Sequence, residues 1–293
     1  MDTCYRHPDR ETGVSCSNCG RPICPECMTS TPVGMRCPEC ARERTKVKTA
    51  ATIGRDGGEP VATYALIGLN VLVFLAEIMG GGGAAFFEGG GNLISDGGLC
   101  GNAIDDGGFC GAQPNEGGEL FRIVTGAFLH AGPLHLLLNM FALYILGTLI
   151  EPAIGTARFL GIYFAALLAG SLGALLATDP NQVTVGASGA IFGLMAAAFV
   201  ITRHRGMDQV ASQIGLFVVL NIVFTFSIPG ISIGGHLGGL VGGAVAALAL
   251  EQIARRHSGG HRKLLEIAAL GIVIVCSTVG AMWAAGQATR LIG

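Results

Sequence analysis

The sequence predicts an all-α polytopic membrane protein of seven spans with a small metal-stapled domain at its N-terminus. Three observations carry that reading. Only 13% of the 293 residues are charged and 51% are hydrophobic, whereas a soluble domain carries about 25% charged residues. Seven apolar segments, each near the ~20 residues needed to cross a bilayer, occupy approximately 61–80, 132–150, 157–177, 185–202, 210–228, 233–251 and 264–285. Seven of the ten cysteines fall within the first 40 residues, in a polar stretch too short to build an adequate apolar core. The net charge of −2, with no long basic stripe, argues against nucleic acid as a partner. The polar N-terminus has no apolar h-region, so no cleaved signal peptide is expected.

The head, residues 1–45, contains four pairs of metal-type ligands: Cys4 and His7, Cys16 and Cys19, Cys24 and Cys27, Cys37 and Cys40. A two-residue gap lets both side chains of a pair turn onto one metal, and eight ligands satisfy two tetrahedral zinc ions. In so short a segment the metal supplies the folding free energy. A disulfide cluster is the alternative. Seven cysteines plus a histidine, and the cytosolic placement derived below, disfavour it. Four protein ligands per ion leave no open position for water, so the zinc is structural and no cofactor is expected for catalysis. These residues resemble a B-box or RING-like zinc finger. That resemblance implies interleaved pairing, with Cys4, His7, Cys24 and Cys27 on one ion and Cys16, Cys19, Cys37 and Cys40 on the other. Spacing alone leaves sequential pairing open. Binding of a cytosolic protein partner, or regulation, is the further role open to such a head. Residues 46–60, with Lys46, Lys48 and Arg55, read as a basic cytosolic linker.

The remainder, 61–293, reads as one membrane domain whose charges set its topology. Basic residues lie before the first span, at Arg158 after the second, at Arg203 and Arg205 after the fourth, and at Arg255, Arg256, Arg262 and Lys263 after the sixth. The alternate loops hold Glu88, Asp96, Asp105, Asp106, Glu116, Glu119 and Asp179. The positive-inside rule therefore puts the N-terminus in the cytosol and the C-terminus outside, in the plasma membrane. The loop at about 81–120 is long, acidic and glycine-rich, the kind that is functional or disordered. Cys100 and Cys110 in it face the oxidising side and are candidates for a disulfide. Cys276 reads as a small buried apolar residue.

Polar side chains inside spans are costly, so each is a functional candidate. The second span carries His135 and Asn139 four residues apart, hence on one face. The fourth enters with Gly186-Ala187-Ser188-Gly189, and the sixth with Gly234-Gly235-His236-Leu237-Gly238-Gly239. Spans two, four and six share a direction, so these groups lie at a similar depth below the outer surface. A serine and a histidine at one depth on glycine-lined helices can form a nucleophile–base pair. His135, Asn139 and the Ser188 amide can donate to a developing oxyanion. Spans four to six hold no Asp or Glu before Glu251, the last residue of the sixth at its cytosolic end, which predicts a Ser–His dyad and not a triad. Gly235, Gly239 and Gly243 recur every four residues opposite Gly186, Gly189 and Gly193. Their ordinary role is close helix packing, and here that packing would deliver the base to the serine.

These motifs, with His130-x4-His135-x3-Asn139, resemble the rhomboid intramembrane serine proteases over about 61–251. Phe121-Arg122 stands where that family often has Trp-Arg, and Glu151 with Gly155 resembles its Glu-x3-Gly element. The resemblance implies a six-helix core with a seventh C-terminal helix, Ser188 as nucleophile and His236 as general base. It also implies His135, Asn139 and the Ser188 amide as oxyanion donors, and transmembrane proteins as substrates. Phe192 stands where some members carry a tyrosine against the histidine. Two rival readings are a non-catalytic binder that escorts membrane proteins and a small-solute transporter. An intact Ser188–His236 pair disfavours the first. The lack of inverted repeats or midplane charge disfavours the second.

Overall fold

A computed structural model describes residues 2–31, 34–42, 58–88, 92–105 and 118–290. The chain divides into two compact units, Met1–Thr49 and Ala50–Gly293. In the first, β1 (Asp2–Thr3) pairs antiparallel with β2 (Glu11–Thr12), and β3 (Thr29–Thr31) pairs with β4 (Gly34–Arg36), ahead of the short α1 (Pro38–Arg42). The buried cluster of this unit consists of Ile23 and six cysteines. One isoleucine cannot offset the chain entropy of some 40 residues, which cost about 1–2 kcal/mol each to order. The thiols must therefore contribute more than packing.

The second unit comprises α2 (Val61–Glu88), the short α3 (Asn92–Gly97), α4 (Gly101–Asp105) and α5 (Arg122–Thr125), then α6 (Pro133–Ile154), α7 (Thr156–Ala177), α8 (Ser188–His204), α9 (Asp208–Ser227), α10 (Ile233–Arg256) and α11 (Gly259–Arg290). Among the described residues six helices are long and apolar enough to cross a membrane: those within α2, α6, α7, α9, α10 and α11. The fourth expected span differs. It starts at Ser188, not 185, and has 17 residues, or ~25 Å at 1.5 Å per residue. The cause is Gly186, whose φ of +122° is not helical. Its N–H donates to Gly126 O, and Thr184 bridges to Leu99. A short helix is tolerated because α8 is central: twelve of its residues are buried, Ala190 to Ala198 among them. By contrast, only Ala211 and Thr225 of α9 are buried. The helix α10 packs most extensively on α7 and then on α8.

The loop expected at 81–120 is folded where it is described. Leu99 and Ile104 join the main apolar core, as does Ile123 of α5 just beyond the loop. Arg122 is fully buried, donates to Ser95 O and Gly98 O at 2.7 and 3.0 Å, and pairs with Glu119. It thus ties α5 to α3 and to the residue that follows it. Cys100 is disulfide-bonded, while Cys110, its expected partner, lies outside the described residues. Cys276 is exposed in the isolated chain, not buried as expected, because it sits on the outer face of α11.

Glu151, near the end of α6, is 1% exposed. Its carboxylate accepts from Ala62 N, Thr63 N, Thr63 Oγ1 and Thr156 Oγ1 at 2.7–2.9 Å. It therefore caps the first turn of α2, where free amides favour a negative charge. Glu151→Ala would strand these donors, a loss of roughly 3 kcal/mol or more. Thermal unfolding in detergent should show a clear drop in Tm for Glu151→Ala and a smaller one for Glu151→Gln.

Candidate active site

Ser188 opens α8, and His236 lies in the first turn of α10. Their side chains meet, with His236 Nε2 2.8 Å from Ser188 Oγ. The approach depends on two helix backbones with nothing between them. A Cβ built on Gly239 would stand 1.9 Å from Gly189 O, and one on Gly243 would stand 2.2 Å from Gly193 O. Gly189 and Gly193 thus lie against Gly239 and Gly243, and this contact sets the spacing of the two polar residues. Phe192, one turn along α8, stacks on the imidazole with ring centroids 4.1 Å apart and planes 20° apart. The phenyl ring fixes the plane of the imidazole without a hydrogen bond.

The second polar cluster comes from the segment entering α6. The backbone N–H of Ala131 donates to His135 Nδ1 at 3.3 Å, which leaves Nε2 as the proton-bearing nitrogen of the neutral ring. That Nε2 faces Gly186: a Cβ there would be 2.8 Å from it and 3.8 Å from Ser188 Oγ. Gly186 thereby permits both the turn into α8 and the close approach of the His135 ring. Asn139 uses one amide N–H on His135 O at 2.9 Å; the other remains for a ligand. The Ser188 N–H belongs to the first turn of α8, where amides have no carbonyl partner within the helix. These groups line a cavity of about 450 Å³ together with Ser188, His236, Met195 and Asn221. A hydroxyl next to an imidazole, with N–H donors on the same cavity, is suited to acyl transfer.

The structure therefore brings Ser188, His236, His135 and Asn139 to one cavity. Arg122 and Glu151 lie away from it and serve the framework. Sequence reasoning missed two contacts. Thr225 Oγ1 on α9 lies 2.7 Å from His236 Nδ1; a single mid-helix threonine gives no signal of it. Glu77 on α2 is 5% exposed and accepts from His130 N at 3.2 Å. Its signal was available, as an acidic side chain in an apolar span. The His130 ring in turn packs edge-on against His135, centroids 5.2 Å apart.

In the head, two groups of ligand atoms each converge to within 4.8 Å: Cys4, His7, Cys24 and Cys27, and separately Cys16, Cys19, Cys37 and Cys40. The sets interleave along the chain. His7 Nδ1 lies 3.4, 3.5 and 3.9 Å from the Cys24, Cys27 and Cys4 sulfurs, and Cys19 Sγ lies 3.8 Å from Cys37 Sγ. A tetrahedron with metal–sulfur bonds of about 2.3 Å has edges of roughly 3.7 Å, so the donor sets fit such an ion. The thiols of the first set are pulled apart: burial, with Cys4 and Cys24 alongside, pushes Cys27 up to about 11, while Cys4, against its burial, is drawn down to about 6 by backbone hydrogen bonds. Three thiolates and an imidazole in the first set, and four thiolates in the second, would share so small a volume only around a cation.

The six apolar helices, the central short helix and the polar cavity define a polytopic membrane protein of the rhomboid type. The Rhomboid domain family profile matches residues 117–253. The chain is 31% identical over 242 residues to Rhomboid protease GluP of Bacillus subtilis (strain 168), covering 80% of this chain and 43% of that one. It is 33% identical over 144 residues to Putative rhomboid protease YdcA of the same organism, covering 48% and 72%. Over 135 residues it is 37% identical to Rhomboid-like protease 1 of Toxoplasma gondii, covering 43% and 45%. The chain belongs to the rhomboid family, a family of intramembrane proteases. It spans less than half the length of GluP and of Rhomboid-like protease 1.

Proposed function

We propose that this protein is an intramembrane serine endopeptidase acting on transmembrane proteins, with Ser188 as nucleophile and His236 as general base. The observation that carries the reading is the 2.8 Å contact between Ser188 Oγ and His236 Nε2. As Oγ bonds to the scissile carbonyl carbon, its proton passes to Nε2. The carbonyl oxygen becomes an oxyanion held by the Ser188 N–H, His135 Nε2–H and the Asn139 amide. Collapse expels the amine, which takes the proton from His236. Water, deprotonated by the same imidazole, then releases the acyl group. The substrate helix must unwind, because a helical backbone encloses its carbonyls. Substrates with Gly or Pro near the cut are therefore expected.

The proposal extends to the frame. Residues 61–293 form the protease domain and 46–60 the linker. Residues 1–45 are a cytosolic head with two structural zinc ions, open to a protein partner, and the C-terminus lies outside the plasma membrane. The test uses purified full-length protein in liposomes with a panel of transmembrane reporters and a fluorophosphonate probe. Wild type should cleave and label, while Ser188→Ala and His236→Ala should do neither. Equal cleavage by wild type and Ser188→Ala would overturn the protease reading. Reporter binding with no cleavage or labelling would favour a non-catalytic escort.

A further inference from the structure

A neutral imidazole carries one proton, and only the Nδ1–H form leaves Nε2 able to accept a proton from Ser188. The carboxylates that α8 to α10 do hold, Asp208 and Glu251, pair with Arg203 and Arg205, and neither imposes that form on His236. We propose that Thr225 is the positioning residue of His236, holding its imidazole in the Nδ1–H tautomer through a hydroxyl that can only accept. The proposal rests on the reading of Ser188 and His236 as nucleophile and base.

The geometry assigns the single hydroxyl proton. Thr225 Oγ1 lies 2.8 Å from Asn221 O, four residues earlier on α9, the usual back-bond of a threonine in an apolar helix. With its proton committed there, Oγ1 presents lone pairs to His236 Nδ1 at 2.7 Å, and Nδ1 must donate. Thr225 is 2% exposed, so bulk water does not compete for that edge of the ring. Three sides of the imidazole are then fixed: its face by Phe192, its Nδ1 edge by Thr225, and its Nε2 edge by Ser188. A neutral acceptor does this without burying a further charge, which is costly among apolar helices.

The contact also has the right energetic direction. When His236 takes the serine proton, Nδ1–H···Oγ1 becomes a charge-assisted hydrogen bond and strengthens. An interaction that grows toward the transition state raises kcat, whereas one felt equally by bound substrate changes KM. Thr225 stands behind the imidazole and off the cavity wall, so substrate binding should not report its loss.

The experiment compares wild type, Thr225→Val and Thr225→Ser as full-length protein in liposomes, with Ser188→Ala alongside. Valine keeps the shape and removes the acceptor; serine keeps the acceptor. Thr225→Val should lower kcat on the order of 10- to 100-fold, with KM within about twofold and slower fluorophosphonate labelling. Thr225→Ser should restore most of the rate. Side-chain ¹⁵N spectra of the wild type should show His236 protonated at Nδ1. The proposal falls if Thr225→Val keeps the wild-type kcat, if serine is as impaired as valine, or if wild-type His236 carries its proton on Nε2. The spectrum decides even where the valine variant does not fold. Residual wild-type cleavage by Ser188→Ala would instead remove the protease reading itself.

Discussion

Gly239→Ala should cost on the order of 100-fold or more in cleavage rate, although residue 239 touches neither substrate nor the polar pair. The added Cβ would lie 1.9 Å from Gly189 O, 2.6 Å from Gly189 C and 3.0 Å from Gly189 Cα. Backbone cannot turn away as a side chain can, so the seam must open by roughly 1.5 Å to reach van der Waals contact. Ser188 is bonded to Gly189, and His236 lies one turn from Gly239. An opening there would be passed to the 2.8 Å Ser188–His236 contact almost undiminished. Overpacking should also lower stability by about 1–3 kcal/mol. Gly271→Ala is the control: a Cβ there meets nothing within 4 Å, and alanine is the better helix former. Cleavage and fluorophosphonate labelling should fall together for Gly239→Ala and stay at wild-type level for Gly271→Ala. Normal activity in Gly239→Ala would mean that the seam does not set the geometry of the pair.

The legibility of this site followed from cost. Ser188, His236, His135 and Asn139 stood out in the sequence because polar groups are expensive in apolar helices and because loop charges gave their helices a common direction. The glycines of α8 and α10 stood out by their four-residue repeat. Other features depend on quantities that a linear pattern does not contain. Thr225 looks like any back-bonded threonine, and its value arises from the rotation and depth of α9 against α10. The late start of α8 follows from a positive φ at Gly186, in a stretch apolar enough to read as helix. Burial of Arg122 needed the carbonyls of Ser95 and Gly98, some 25 residues away, in a loop whose composition suggested little structure. Glu77 was legible and overlooked. In the head, two-residue spacing identified the ligand pairs but could not group them into sets of four; the chain path does so, by bringing Cys24 and Cys27 back to Cys4 and His7.

Chelation should unfold that head. Its buried cluster contains Ile23 and six cysteines, and its two hairpins supply only two- and three-residue strands. Against this small core, a structural zinc in a peptide of similar size contributes an apparent 10–16 kcal/mol, comparable to or larger than the whole stability of a typical domain. Each ion would join pairs from distant parts of the segment, Cys4 and His7 to Cys24 and Cys27, and Cys16 and Cys19 to Cys37 and Cys40. Metal removal therefore releases both long loops at once. Backbone N–H groups already point at the sulfurs, Cys37 N to Cys16 Sγ at 3.2 Å and Cys40 N to Cys37 Sγ at 3.4 Å, as thiolate ligands require. Metal analysis of the full-length protein should return about two zinc ions per chain. Treatment with a strong chelator should then open residues 2–42 to rapid proteolysis, and added zinc should restore protection. Cobalt in place of zinc should give tetrahedral, thiolate-rich absorption, weaker in Cys24→Ser and in Cys37→Ser. Protein that holds no metal and still resists proteolysis would refute the zinc-stapled head, because among the described residues Ile23, with Tyr5 and Met28 packed on the cysteines, is too small an apolar core to offset the entropy of its chain.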